Sequence, residues 1–110
     1  MNDESIFANL QVELRRGTQI LAVLSQLKDQ QYGYSLLQLL EEKGIAIEAG
    51  TLYPLMRRLE SQGLLSSSWD TTESRPRKYY VLSALGLETL QKLKIEWQSI
   101  TDEMKLLLEG

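Results

Sequence analysis

Residues 50–63 decide how this chain folds, and they read Gly-Thr-Leu-Tyr-Pro-Leu-Met-Arg-Arg-Leu-Glu-Ser-Gln-Gly. At about 100° per residue in an α-helix, the apolar side chains of this stretch gather on one face. That face consists of Leu52, Leu55, Met56 and Leu59. The opposite face, with Glu60 toward its flank, consists of Tyr53, Pro54, Arg57, Arg58 and Ser61. The sequence therefore predicts a helix with one buried face and one face free for a partner.

Two interpretations of the polar face are open. Planar guanidinium groups fit phosphate oxygens and guanine edges, and this face has little negative charge to repel a polyanion. Charged pairs on helices are, however, most often simply solvated. Pro54 lacks an amide hydrogen, so we expect the helix to begin within about one turn before it, near Gly50 and Thr51. Its first amides would then point toward a bound anion.

The composition narrows the classes of function. The 110 residues are 43% apolar, which suits one domain with a modest core. Cysteine and histidine are both absent from the sequence, so we expect no enzyme, no cofactor and no metal. Apolar runs stay well short of the roughly 20 residues of a membrane span, and the first residues are acidic. We therefore expect a soluble, cytoplasmic protein with no membrane partner.

The net charge of −3 is unevenly distributed along the chain. Residues 50–82 carry five basic and three acidic side chains, a local balance of +2, whereas residues 1–49 and 83–110 have balances of −3 and −2. Four of the six arginines lie in this middle third: Arg57, Arg58, Arg75 and Arg77. Because local charge sets the field at a surface, the acidic pI weakens a DNA-binding interpretation without excluding it.

Two helices are predicted directly before residue 50. We expect Thr18 to cap the first of them, whose apolar stripe is Ile20, Leu21, Val23, Leu24 and Leu27. The second follows Tyr32-Gly33-Tyr34 and ends at Gly44, with an inward face of Leu36, Leu37 and Leu40. A short extended piece, residues 45–48, then leads to the helix at residue 50. This order is that of a helix-turn-helix, with residues 50–63 as the recognition helix.

A basic hairpin is predicted after this helix. Residues 64–70 favour a strand, residues 71–76 a loop, and residues 78–82 a return strand. Three cations cluster at the loop: Arg75, Arg77 and Lys78. Cations at a hairpin also protect sheet edges from aggregation. Their position directly after a basic helix favours phosphate contact by a wing.

Both ends of the chain predict helices that pack on another helix. Residues 4–14 place Ile6, Phe7, Leu10 and Leu14 at helical spacing. The last helix, which Ser83 can cap, has a heptad seam of Leu90, Leu93, Trp97, Ile100, Met104 and Leu107. Packing on the chain's own domain is one alternative. We favour a homodimer in which the N-terminal helix of one chain packs on the C-terminal helix of the other, since paired recognition helices read a two-fold site.

The predicted fold class is mostly α with a small β-hairpin wing. Residues 1–82 are predicted to form a winged helix DNA-binding domain with an N-terminal helical extension, and residues 83–110 a C-terminal dimerisation helix. Residues 14–86 resemble the PadR family of bacterial winged-helix transcriptional regulators, and their matching segments follow one another in the family's order. The resemblance is specifically to the short branch with a single C-terminal dimerisation helix. The segments that match are Leu14-Arg15-Arg16-Gly17-Thr18, Tyr32-Gly33-Tyr34, Gly50-Thr51-Leu52-Tyr53-Pro54-Leu55, Arg58-Leu59-Glu60, Gly63-Leu64, Arg75-Pro76-Arg77-Lys78-Tyr79-Tyr80, Leu82-Ser83 and Gly86.

The resemblance implies a dimeric repressor that binds a palindromic operator in double-stranded DNA and is released by a small aromatic effector or another signal. Carried over by position, the residues implied to face the major groove are Thr51, Tyr53, Pro54, Arg57 and Arg58. Tyr34 and Ser35 are implied to meet phosphate. The flanking backbone or minor groove is assigned to Arg75, Arg77 and Lys78. The chain departs from the family at Ser35, where an acid is common, at Ser74, where glycine is common, and at Glu48, which leaves the helix cap open.

Trp97 is implied to line a ligand-binding space between subunits, and a core position in the seam is the alternative that we favour. A second class of function also stays open. A winged-helix dimer that serves as a protein-interaction adaptor without DNA binding fits the acidic pI and Glu48. Salt dependence separates the two classes, because several phosphate contacts make DNA binding weaken steeply with salt.

Overall fold

The computed structural model describes Asn2 to Gly110. Its helices and strands, in chain order, are α1 (Asp3–Arg16), α2 (Thr18–Ser25), β1 (Gln31–Tyr32), α3 (Gly33–Glu42), α4 (Ala49–Ser61), β2 (Leu65–Asp70), β3 (Arg77–Leu82) and α5 (Ala84–Glu109). The predicted mostly α fold with a β-hairpin wing is confirmed. The helix-turn-helix comprises α3 and α4 packed with α2, and the wing comprises β2 and β3.

The apolar stripe of α4 lies in the core, as predicted. Leu52, Met56 and Leu59 are at most 1% exposed, and Leu55 is 9% exposed. The stripe forms one buried cluster with side chains from α2, the loop after it, α3, the sheet and α5, which are Val23, Leu24, Leu27, Leu36, Leu40, Leu65, Tyr80 and Leu90. Burying one leucine-sized side chain stabilises the folded state by about 1.5–3 kcal/mol. The stripe therefore fixes which face of α4 points outward.

The wing hairpin has the predicted bounds to within one residue. β2 and β3 pair antiparallel from Leu65 opposite Leu82 to Asp70 opposite Arg77, and residues 71–76 form the loop between them. The sheet also contains a strand that the sequence did not predict. β1 pairs antiparallel with β3, with Tyr32 opposite Tyr79. Two residues are too few to show a period of two, so the sequence pattern indicates only an approach to α3 at this point.

Left-handed glycines follow α3 and α4. Gly44 has φ +84° and Gly63 has φ +81°. After α3, the amide of Ile45 donates to the carbonyl of Leu40 at 2.8 Å, and the amide of Gly44 donates to the carbonyl of Glu41 at 3.0 Å. These two bonds form a Schellman motif, which satisfies the last carbonyls of a helix. The predicted role of Gly44 is confirmed, while residues 45–48 form a link without regular structure.

The first turn of α5 is held against the link between α4 and β2. Ser83 caps α5 as predicted, because its hydroxyl accepts from the amide of Gly86 at 3.0 Å and donates to the carbonyl of Gly63 at 2.6 Å. Gly86 is buried, and a Cβ atom at this position would overlap the carbonyl oxygen of Leu64. Only glycine permits this approach, so the start of α5 is fixed in place.

The boundary between α1 and α2 differs from the prediction. Gly17 between them has helical angles, φ −65° and ψ −26°, so the two helices are nearly continuous. Thr18 is the first residue of α2, and its hydroxyl donates backward to the carbonyl of Arg15 at 2.8 Å. The prediction that Thr18 caps α2 is therefore wrong, because its side chain bonds the preceding turn and not the following amides.

Pro54 stands deeper in its helix than predicted. α4 begins at Ala49, so Pro54 is its sixth residue and lies beyond the first turn. The bond that proline cannot make would go to the carbonyl of Gly50, four residues earlier. Gly50 is exposed, so water can hydrate that carbonyl and the helix continues through the proline. Glu48 is the N-cap residue and makes no side-chain cap bond.

The two terminal helices extend beyond the core. α1 has no buried residue, and α5 has none after Leu90. At 26 residues, α5 is about 39 Å long, given a rise of about 1.5 Å per residue. From Asn2 to Gly110, none of the helices has both the length and the apolar content needed to cross a lipid bilayer.

Candidate nucleic-acid interface

The outer face of α4 presents its two arginines freely. Arg57, Arg58, Thr51 and Pro54 are all exposed, while the opposite stripe is buried. Within residues 2–110, neither arginine forms an ion pair with a carboxylate. Their guanidinium donors are therefore available to a ligand, and planar donors of this kind bind phosphate or guanine in bidentate fashion.

Tyr53 contributes less to this face than predicted. Its side chain is half-buried and packs against the core cluster. The ring lies directly over Gly33, where a Cβ atom would come within 2.6 Å of the tyrosine Cε1 atom. Tyr53 therefore packs between α4 and the start of α3, and part of its side chain stays accessible to a partner.

The start of α3 places its two predicted phosphate contacts in different environments. Tyr34 is 55% exposed, and its hydroxyl accepts from Gln38 at 3.3 Å. Ser35 is half-buried, and its Oγ accepts from the amide of Tyr32 at 3.1 Å. The same hydroxyl lies 2.8 Å from Oε1 of Gln31 and 2.9 Å from the carbonyl of Tyr32, either of which can accept its proton. Ser35 thus closes the first turn of α3, and its hydroxyl is already used.

The wing loop is shaped by an aspartate. The carboxylate of Asp70 accepts from the amide of Thr72 at 3.0 Å and from its hydroxyl at 2.7 Å. These bonds hold the pKa of Asp70 below its usual value, because they favour the charged carboxylate. Arg75 is exposed in the loop that this turn begins, and it forms no ion pair with any residue between Asn2 and Gly110.

Arg77 is held on the outer face of the sheet by aromatic rings. Its guanidinium lies 4.6 Å from the centroid of the Tyr32 ring, a cation–π contact. The Tyr32 ring meets the Tyr79 ring edge to face, with centroids 5.4 Å apart and planes at 73°. Arg77 is still exposed, so phosphate remains within its reach. The contact between Tyr32 and Arg77 was not predicted from the sequence, because a strand of two residues is too short to show a period of two.

Lys78 points to α4. Its ammonium lies 2.8 Å from Oε1 of Glu60, and the two side chains are 28% and 30% exposed. The other carboxylate oxygen of Glu60 accepts from the hydroxyl of Ser67 on β2. The Lys78 bond, followed by the Ser67 bond, lowers the pKa of Glu60, and the carboxylate in turn raises the pKa of Lys78. Lys78 therefore differs from the other predicted DNA contacts, because its charge is compensated within the chain.

The predicted dimer seam divides into two parts. Leu90 is 1% exposed and belongs to the core of its own chain, which corrects its assignment to a dimer interface. Leu93 is half-buried against the same core. Beyond it the seam is exposed, at 45% for Trp97, 41% for Ile100, 43% for Met104 and 72% for Leu107. On α1 the exposed fractions are 46% for Ile6, 65% for Phe7 and 58% for Leu10.

A groove of about 610 Å³ lies between α1, α2 and α5. Trp97 forms part of its wall, beside apolar side chains that include Leu21, Leu90 and Ile45. Three cations line the same groove, Arg15, Lys28 and Lys94, and no carboxylate does. Of the groove residues only Trp97 was predicted from the sequence to bind a ligand, because these cations are far apart in the chain and have no common period.

Comparisons with known proteins agree with this geometry. The family model described as "Transcriptional regulator PadR-like family" matches residues 20–92. A transcriptional regulator of Mycobacterium tuberculosis is 34% identical over 79 residues, which cover 71% of this chain and 74% of that protein. The crystal structure of a PadR family transcriptional regulator from Eggerthella lenta is similar with a TM-score of 0.93 at 50% identity, over 97% of this chain and 96% of that chain. A PadR-like transcription factor from Bacteroides fragilis has a TM-score of 0.76 at 32% identity, over 90% of this chain and 98% of that chain.

The lowered pKa of Glu60 predicts a pH-dependent effect of the Glu60→Gln substitution. A carboxyl group with a depressed folded-state pKa stabilises the fold above its unfolded pKa, near 4.5, and loses that contribution as the pH falls through the folded value. We expect Glu60→Gln to lower the free energy of unfolding by less than about 1 kcal/mol at pH 7. The deficit should shrink below about pH 4.5 in urea titrations. An equal deficit at pH 7 and at pH 3 would contradict the assignment.

Proposed function

The chain belongs to the PadR-like family of transcriptional regulators, and from this premise we propose that it represses transcription by binding double-stranded DNA as a homodimer. Its family consists of regulators and not of enzymes. The observation that carries the proposal is the outer face of α4, where Arg57 and Arg58 are exposed without ion-pair partners within residues 2–110. A regulator of this kind acts in the cytoplasm, where bacterial DNA lies.

In the proposed complex, α4 enters the major groove of a palindromic operator. Its contacts are the hydroxyl of Tyr53 and the exposed side chains Thr51, Pro54, Arg57 and Arg58. Tyr34 at the start of α3 meets phosphate, since its exposed phenol is a hydrogen-bond donor. Arg75 and Arg77 of the wing contact the flanking backbone. Ser35 adds no contact of its own in this proposal, because its hydroxyl is used within α3.

Dimerisation is supported by the exposed apolar faces of α1 and α5. Residues 1–82 serve as the DNA-binding domain with its N-terminal extension, and residues 83–110 as the dimerisation helix. Because Leu90 and the half-buried Leu93 pack on their own chain, the part of α5 that meets the second copy begins at Trp97. The partner surface on α1 consists of Ile6, Phe7 and Leu10. Large apolar side chains that are exposed in one chain gain stability when a second chain covers them.

A small aromatic effector completes the proposal, and the groove between α1, α2 and α5 is its site. The indole of Trp97 offers a flat surface for stacking. The cations of this groove, Arg15, Lys28 and Lys94, favour an aromatic compound that bears a negative charge. Trp97 belongs both to the groove and to the proposed dimer surface. A ligand stacked on it would therefore change the packing between chains and, through it, the spacing of the two α4 helices.

Arg57→Ala tests the DNA-binding face. Duplexes enriched by the wild-type protein from a random-sequence library serve as the probe, and binding is measured by fluorescence anisotropy. We expect affinity to fall at least about tenfold and sequence preference to relax at one position in each half-site, because removing a bidentate base contact costs about 1–3 kcal/mol. Lys105→Ala removes one cation from the distal part of α5 and should leave binding unchanged. Equal behaviour of the two variants would remove Arg57 from the interface.

The same measurement separates the two classes of function. Wild-type affinity should fall by orders of magnitude between about 50 and 200 mM salt, because several phosphates are contacted per dimer. If the wild-type protein fails to bind any duplex at low salt, the DNA-binding proposal is overturned. A winged-helix protein-interaction adaptor is then the remaining class.

Ile100→Asp tests the dimer surface. A carboxylate in an apolar helix interface is destabilising, so we expect this variant to sediment as a monomer and to lose operator binding. Ile95→Asp is the matched control, because Ile95 is 70% exposed and lies outside the seam. It should leave the dimer intact in analytical ultracentrifugation. A wild-type protein that sediments as a monomer at micromolar concentration would refute the dimer.

The effector site is tested with 2-naphthoate, a flat aromatic carboxylate, and with 2-naphthalenemethanol as its uncharged counterpart. In a Trp69→Phe background, Trp97 is the remaining tryptophan and its fluorescence reports the groove. We expect 2-naphthoate to quench this fluorescence, at concentrations several-fold lower than the alcohol requires. Lys94→Gln should narrow that difference, since it removes one cation from the groove. Equal quenching by both compounds would contradict an anion-selective site.

A further inference from the structure

Three elements of the DNA-binding domain meet at one carboxylate. Glu60 in the last turn of α4 accepts from Lys78 of β3 at 2.8 Å and from the hydroxyl of Ser67 of β2. We call Glu60, Ser67 and Lys78 the wing brace. Within residues 2–110 one other ion pair exists, between Glu88 and Lys92 on neighbouring turns of α5. The Lys78–Glu60 pair of the wing brace is the one that joins distant segments, because its two residues are 18 positions apart.

The brace lies close to the loop of the hairpin. Lys78 pairs with Trp69, one residue from the loop-side end of the ladder, and β1 pairs with β3 at Tyr79 and Tyr80, farther from the loop. Between Asn2 and Gly110, the two bonds of Glu60 are the side-chain hydrogen bonds that join the hairpin to α4. The bond to Lys78 is the one nearer the loop, so its loss would free the loop-side end of the hairpin to move relative to α4.

The charge of Lys78 is poorly suited to a phosphate contact. The Glu60 carboxylate takes one of its three donors, and the ring of Tyr80 lies 5.0 Å from the ammonium on the core side of the strand. A compensated pair attracts a phosphate far less than a free cation does. Without Lys78, the Glu60 carboxylate on the recognition helix would be uncompensated. This negative charge near Arg57 and Arg58 would repel DNA.

We propose that Glu60 and Lys78 are positioning residues that hold the wing at a fixed distance from α4, so that helix and wing meet the same duplex, and that Lys78 makes no phosphate contact itself. This inference rests on the proposed DNA-binding function. In this arrangement Arg75 and Arg77 make the wing's contacts with the DNA backbone, and Lys78 forms its contact within the protein.

The first experiment compares Glu60→Gln/Lys78→Gln with the wild type on duplexes selected by the wild-type protein. The double substitution leaves the net charge unchanged and replaces the ion pair with two neutral side chains, whose hydrogen bond is weaker. We expect operator affinity to fall about three- to tenfold, with the slope of log K against log salt unchanged. If Lys78 instead neutralised a phosphate, the magnitude of that slope would fall by about 0.9 for each phosphate left without its cation. A reduction of this size overturns the proposal, and so does unchanged affinity.

The second experiment exchanges the charges. We expect Lys78→Glu alone to weaken binding more than tenfold, because two carboxylates then repel across the brace. Glu60→Lys/Lys78→Glu restores the attraction with reversed polarity and should recover affinity to within about threefold of wild type. If Lys78 contacts phosphate, the exchanged protein binds no better than Lys78→Glu. Glu88→Gln/Lys92→Gln, in the exposed pair on α5, is the matched control and should bind as the wild type does.

A spectroscopic measurement without DNA separates this inference from the proposed function. With 5-fluorotryptophan incorporated, Trp69 and Trp97 give two ¹⁹F signals, and the Trp69→Phe variant identifies the first. In Glu60→Gln, which leaves Lys78 opposite Trp69 in place, the Trp69 signal should shift or broaden as the wing moves, while the Trp97 signal stays in place. An unchanged Trp69 signal refutes the brace. If the signal changes but the wild-type protein binds no duplex, the brace stands as a feature of the fold and its role in DNA binding is lost together with the proposed function.

Discussion

Burial of the apolar stripe of α4 is the interaction from which the functional surface of this protein follows. An isolated helix of 13 residues is marginal in water, so α4 depends on packing for its stability. Leu52, Met56 and Leu59 are nearly inaccessible, and they fix the rotation of the helix about its own axis. Arg57 and Arg58 then have to point outward. The candidate interface and the buried stripe are thus opposite faces of one helix. Changes in the core that rotate α4 would therefore redirect Arg57 and Arg58.

The charges of the domain divide into those used inside the fold and those left for a partner. Residues 50–82 hold five cations, yet Lys78 is compensated by Glu60 and Arg77 is partly engaged by the ring of Tyr32. Arg57, Arg58 and Arg75 remain without ion-pair partners in the part of the chain that the structure describes. Local net charge thus overstates the number of side chains available to a polyanion, because it cannot separate structural pairs from free groups.

Strong periodic patterns made the larger elements predictable from the sequence. The spacing of Leu52 to Leu59 identified α4 and its buried face, and the polar loop between two β-rich runs identified the wing to within one residue. Contacts between elements could not be predicted from such patterns. The two-residue strand β1 has no period, the backward bond of Thr18 depends on the angles at Gly17, and the Lys78–Glu60 pair needs the tertiary fold.

The heptad seam shows a different limit of sequence reasoning. Its spacing correctly identified one face of α5, but a face carries no information about which surface covers it. Leu90 packs in its own core, whereas Ile100 and Met104 on the same stripe are exposed. The tyrosine and serine that begin α3 illustrate the same limit, since Tyr34 is open to solvent while the adjacent Ser35 closes the helix turn. Neighbouring residues of one motif can therefore have unrelated tasks.

Gly17 has helical angles, and no atom outside its immediate neighbours lies within 4 Å of the point where a Cβ atom would stand. Nothing in its surroundings demands glycine, and glycine is the residue that leaves a helical conformation at least cost. The junction between α1 and α2 can therefore change its bend at little cost. A small change of bend there would redirect the exposed apolar side chains of α1, Ile6, Phe7 and Leu10, while the core stays as it is.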